Sequence, residues 1–292
     1  MDHHRGVATG PPGELAERTL GAWDAVLELA GTLRSEQLGR LAELGSWPER
    51  PVLGRLMAQA GAAVADRTGD AAADGAAAPA EAPRLDHSGE PRAEVLAALG
   101  EARRRVADAL AEIAAEPALA LVELDSALGP LPLLTQVHAS AHELAVAALD
   151  CFPERAAARA GLPRAVGDAG TAALVDVVGA LAYRQGVRAD AGVWGPGTSG
   201  WVFHADAEGW RTERGNGGVP GIEGAAATVL GVPTGRAALP SLLAKGEIRL
   251  HRIGGLMALA PLVEQVPGLP GGALLRRAVG VVGLLGRLPG LQ

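Results

Sequence analysis

Apolar positions from Glu14 to Leu44 recur at helical spacing. Leu15, Trp23, Val26, Leu27, Ala30 and Leu33 form one stripe, and Leu38, Leu41 and Leu44 continue it. "GSWPERP" (45–51) interrupts the pattern, because two prolines and a glycine do not continue a helix. A second helix follows, with Val52, Leu53, Leu56, Met57, Ala60 and Val64 facing inward. The stretch 66–91 has almost no large apolar residue and reads as a flexible connection. A third helix begins near Pro91 and carries Val95, Leu96, Leu99, Val106, Leu110 and Ile113. After the "ALGPLP" turn, a fourth runs from about Leu133 to Leu149. Four amphipathic helices in this order predict an antiparallel bundle over 14–152.

"CFPERAAARAGLPRAVGDAG" (151–170) mixes Pro, Gly and Arg, and predicts a linker over 153–170. Beyond it a helix at 171–184 precedes "GWVFHADAEGWRTE" (200–213), whose alternation around "AEG" predicts a β-hairpin. "GAAATVLGV" (224–232) and "GEIRLHRI" (246–253) are further strand candidates. "TGRAALPSLLAKG" and "GGLMALAPLVEQV" read as helical. The fold class is therefore α plus α+β, with a small α+β domain over 171–268 and an apolar C-terminal helix within 269–292.

Composition narrows the function classes. A net charge of −7 argues against a general nucleic-acid binder, which needs a basic face to displace counterions from phosphate. The single cysteine, Cys151, excludes an intramolecular disulfide and fits a reducing cytosol. "MDHHRGVATGPPGE" lacks the apolar core of a signal peptide. The late apolar run "AVGVVGLLG" (278–286) is far short of the ~20 residues that span a bilayer. The expectation is a soluble cytoplasmic protein without a transmembrane segment. Its C-terminal helix is available for surface or self-association.

Candidate chemistry begins on the fourth helix. Its inward stripe is Leu134, Val137, His138, Ala141, His142, Ala145 and Leu149, so two imidazoles one turn apart face the bundle axis, about 5–6 Å apart at Cβ. Such a pair chelates a divalent ion if a neighbouring helix adds a third ligand. The alternative is that each histidine meets a backbone carbonyl or a water. His142-Glu143 is no zincin motif, since the next histidine position is Val146. Cys151 lies beyond a helix end with no base nearby, "GPGTSG" and "GNGG" lack the ending of a phosphate loop, and "VELD" reads as solvated charge. His3, His4, His87, His204 and His251 are scattered over predicted loops and strands, and Trp194, Trp201, Trp210 and Phe203 read as core.

Three segments carry a family resemblance: "SWPERPVLGRLMAQAG", "LGPLPLLTQVHASAHELAVAALD" and "GVPTGRAALPSLLAKGEIRLHRI". In order and texture the chain resembles the mycothiol-dependent maleylpyruvate isomerase family, with a DinB-like metal-binding four-helix bundle and a sterol-carrier-like α+β domain. The resemblance implies a divalent metal, zinc by preference, held by a histidine on the second helix and a Glu-x-x-x-His pair on the fourth. His142 matches the last of these. His138 stands where the Glu would be, and Gln59 where the second-helix histidine would be. An amide oxygen is a poor ligand for zinc, so this set implies a weakly held ion. The resemblance further implies mycothiol as thiol cosubstrate, a small-molecule electrophile as substrate, and Arg236 as a catalytic cation for its carboxylates. The rival expectation is a non-catalytic protein that binds an apolar small molecule or lipid, or regulates, through its sterol-carrier-like domain.

Overall fold

The computed structural model describes residues 4–39, 41, 51–68, 89–126, 128–152, 162–232, 239–259 and 262. Helix α1 spans Pro12–Thr32, with Pro12 at its first turn, and ends where Leu33 turns to extended backbone. The expected stripe to Leu44 therefore breaks here, and a short helical stretch resumes at 35–39. Helices α2 (Pro51–Thr68) and α3 (Arg92–Ala115) follow. The Pro91 carbonyl accepts the first amides of α3, from Glu94 and Val95. A two-stranded ribbon pairs β1 (Glu123–Leu124) with β2 (Leu131–Pro132) and leads into α4 (Leu133–Asp150).

Helix α5 spans Arg164–Arg184. Residues 164–170, expected within a linker, are thus its first two turns. It packs more extensively on α4 than any other pair of elements packs, and it also touches α1 and the larger sheet. By length and composition alone α5 is apolar enough to cross a membrane, yet 72% of its apolar window is buried inside the protein. It is a core helix, shared between the helical layer and the sheet.

That sheet has the order β5-β4-β3-β6-β7. Its strands are β3 (Ala189–Trp194), β4 (Trp201–Ala205), β5 (Trp210–Arg214), β6 (Gly221–Gly224) and β7 (Ile248–His251). The hairpin β4–β5 is antiparallel, as its alternation predicted, whereas β3 and β6 pair in parallel. Strand β3 has no counterpart in the sequence reading. Its last four residues are all buried, and a strand covered on both faces shows no alternation. "GAAATVLGV" is corrected from strand to helix: only Gly224 belongs to β6, and α6 spans Ala226–Gly231, in keeping with the helix preference of alanine. Short helices α7 (Leu239–Ala244) and α8 (Ile253–Leu256) flank β7. The expected C-terminal helix within 269–292 lies outside the described residues.

Two glycines set the spacing of these layers. A Cβ on Gly170 would sit 2.7 Å from the Ala145 Cβ of α4, and one on Gly179 would sit 2.9 Å from Trp210 Cδ1 and 3.0 Å from Phe203 Cβ in the sheet. Both approaches are closer than carbon atoms tolerate, so α5 lies at backbone distance from each neighbour. Gly170→Val should therefore destabilise by about 1–3 kcal/mol through overpacking. Gly100→Ala, with only the tip of Arg104 at 4.0 Å, should stabilise α3 by about 0.5–1 kcal/mol. Urea unfolding of both variants checks this, and equal effects would contradict the packing described.

Candidate functional site

The interior of the helical layer is not uniformly apolar. Thr135, His138 and His142 share one face of α4, and Thr19 and Trp23 share one face of α1, which packs against α4. Thr19, Thr135 and His138 are fully buried. Among the described residues, no protein hydrogen-bond partner meets Thr19 Oγ1, Trp23 Nε1, either ring nitrogen of His138, His142 Nε2 or Asp176 Oδ2, and Thr135 Oγ1 has only a weak attraction to the Asp176 carboxyl. Each such atom costs about 1–3 kcal/mol when left unsatisfied. Together they weigh heavily against the ~5–15 kcal/mol of a typical domain.

Burial first, and the charge of Arg18 second, push His138 down to about 3, and burial pushes His142 down to about 4. Both imidazoles are neutral at physiological pH, each with one N–H to donate and one nitrogen to accept. The nearby carboxyl, Asp176 on α5, is pushed up by burial. Its Oδ1 accepts from the Val7 amide, Trp210 Nε1 and Thr212 Oγ1 at 2.7–3.1 Å, and Thr135 attracts it more weakly. Asp176 thereby ties the N-terminal segment to α5 and β5.

Arg18, one position before Thr19, faces a cavity of about 650 Å³ lined by Glu14, Glu17, Gly21, Ala165, Asp168 and Arg214. Its guanidinium carbon lies 4.4 Å above the centre of the Trp201 ring, and that of Arg214 lies 5.7 Å from the centre of the same ring. Trp201 is fixed in turn, because its Nε1–H donates to Asp168 Oδ1 at 3.0 Å, an oxygen that also accepts from Ser199 N and Thr198 Oγ1. Burial and the like charge of Arg214 lower the Arg18 pKa, with Asp168 opposing them, but a guanidinium remains a cation. Arg18 Nε is buried and unpartnered among the described residues.

The expected residues fare differently. The structure brings His138 and His142 onto one face of α4, as their spacing required. It does not bring Gln59 to them: among the described side chains of α2 the buried ones are Leu53, Leu56 and Ala60, and Gln59 is exposed. Among the described residues no three His, Cys, Asp or Glu side chains are grouped so as to hold a metal ion. The ligand set that the resemblance implied is therefore not assembled among the described residues. Arg236 and His87 lie outside the described residues. Cys151 is buried and donates to the Ala147 carbonyl, an inert role. His204 and His251 bind surface carboxylates, Asp190 and Glu223. Sequence reasoning missed Arg18 and Arg214. The available signal was the spacing Leu15–Arg18–Ala22, which sets a charge at the margin of a buried stripe.

The fold defines a class, a helical layer joined through a shared helix to a mixed five-stranded sheet. No family model matches the chain. No curated protein matches it either. Among solved structures it is similar to a crystal structure of a histidine-to-alanine mutant of mycothiol-dependent maleylpyruvate isomerase. The two are 13% identical with a TM-score of 0.42, over 80% of this chain and 93% of that one.

The depressed histidines carry a pH signature. Between about 4 and 6.5 the unfolded imidazoles take up protons that the folded ones refuse, so their contribution to stability falls as pH drops through that window. Asp176 works in the opposite sense, so the test is the difference between two proteins. His138→Leu should be about 1–3 kcal/mol more stable than wild type at pH 7, because an unsatisfied polar group is removed. Its lead should widen at pH 5. Urea unfolding at both values checks this, and a variant less stable at pH 5 would contradict neutral, unpartnered imidazoles.

Proposed function

We propose that this chain is a small-molecule-binding protein on a maleylpyruvate-isomerase-like scaffold. It takes a carboxylate-bearing molecule in the cavity where α1, the start of α5 and β5 meet. The observation that carries this reading is the pairing of Arg18 with Arg214 over one indole at the edge of that cavity. Like charges held together repel, and an anion between them removes the repulsion and meets two planar donor forks. Asp168, a half-buried carboxylate of the lining, has Oδ1 occupied by three donors. Glu14 and Glu17 are exposed at the rim, where solvent screens them.

A second reading retains catalysis: a thiol-dependent isomerase or thiol transferase, with mycothiol as cosubstrate. The unpartnered ring nitrogens of His138 and Nε2 of His142 favour it, as groups able to hold a polar cosubstrate. Arg236 remains part of this proposal as a cation for substrate carboxylates.

Thermal denaturation with millimolar maleate as probe tests the first reading. A ligand at a hundred times its Kd stabilises by about 2.7 kcal/mol, on the order of several degrees in Tm. Maleate should raise the Tm of wild type and leave that of Arg214→Gln unchanged. No rise in wild type would overturn binding in this cavity. Turnover of maleylpyruvate only when mycothiol is present would establish the second reading.

A further inference from the structure

The cavity at the start of α5 presents charges of both signs. Its lining sets Arg18 and Arg214 against three carboxylates, Glu14, Glu17 and Asp168. A dianion would satisfy the arginines and then meet a lining with no surplus of positive charge. Asp168 is committed within the protein, since its Oδ1 accepts from Ser199, Thr198 and Trp201. Glu14 and Glu17 are exposed, and neither closes an ion pair among the described residues.

Their place on α1 makes this informative. Glu14 and Arg18 stand at i and i+4 with the glutamate toward the N-terminus, the arrangement in which helical ion pairs are most favourable. Here the pair stays open, because Arg18 is turned onto Trp201, 4.4 Å from the ring centre, and Asp168 fixes that indole. Arg214 lies 5.7 Å from the centre of the same ring and closes no ion pair with either glutamate. The indole thus gathers both cations at one place in the lining and leaves both glutamates unpaired. Gly21, one turn beyond Glu17 and Arg18 on the same face of α1, adds no side chain to this wall, and a Cβ there would meet nothing within 4 Å. The volume of about 650 Å³ is in the range of small-molecule sites.

We propose that this cavity selects a small zwitterion, whose carboxylate lies against Arg18 and Arg214 and whose ammonium lies against Glu14 and Glu17. This rests on the cavity's being the binding site, and adds the second charge of its ligand. Solvent screens the glutamates while the cavity is open, and an ammonium that touches them displaces that solvent.

L-Aspartate and succinate differ by one ammonium group, and their affinities for the full chain, read from thermal denaturation over a concentration series, test the proposal. Wild type should bind aspartate about three- to tenfold more tightly than succinate, as two exposed ion pairs allow. A double variant, Glu14→Gln with Glu17→Gln, should bring the two affinities together by weakening aspartate and tightening succinate. Both side chains are exposed, so the core is left intact. Arg214→Gln should lose both ligands. Equal affinities in wild type, or a preference for aspartate that survives the double variant, would overturn the proposal and leave the cavity reading standing. Failure of wild type to bind aspartate, succinate or maleate would remove the cavity reading, and the proposal with it.

Discussion

The backbone-distance approach of α5 to two layers at once is the constraint on which the rest of the molecule depends. At Gly170 the helix presses on α4, and at Gly179 it presses on Phe203 and Trp210 of the sheet. A side chain at either point would push the layers apart, and the residues that meet across the junction would part with them. Asp168 and Asp176 both lie on α5, two turns apart, and both reach into the sheet, to Trp201 and to Trp210 and Thr212. The same helix therefore positions the indole on which two arginines rest and the carboxyl that holds the N-terminal segment.

The electrostatics of the junction follow from this packing. Polar atoms buried in the core formed by α1, α4 and α5 are expensive unless something meets them. Neutral imidazoles, threonine hydroxyls, a half-buried guanidinium and the Asp176 carboxyl share this region, so donors and acceptors are both present.

Much of the fold was legible because helical periodicity is a strong signal. α2, α3 and α4 begin and end close to where their stripes and prolines placed them, and the β4–β5 hairpin followed from alternation around "AEG". The failures have physical causes. β3 is buried on both faces and so has no period of two, while α6 is an alanine-rich segment whose Val and Leu resembled a strand. The start of α5 was hidden by glycines that loosen a helix in isolation but are required here for close packing. The histidine pair stood out as polar residues on an apolar stripe. Gln59 was placed by motif, yet the step from Ala60 to Gln59 turns the side chain about 100° around the helix and out of the core. Arg18 was invisible because its partners, Trp201 and Arg214, come from distant parts of the chain that only the tertiary fold assembles.

A crystal structure of the full chain grown with maleate tests the central claim most directly. Carboxylate density against the Arg18 and Arg214 guanidiniums is the expected result. Maleate absent from this cavity at saturating concentration, or bound elsewhere with both arginines left without an anion, would contradict it.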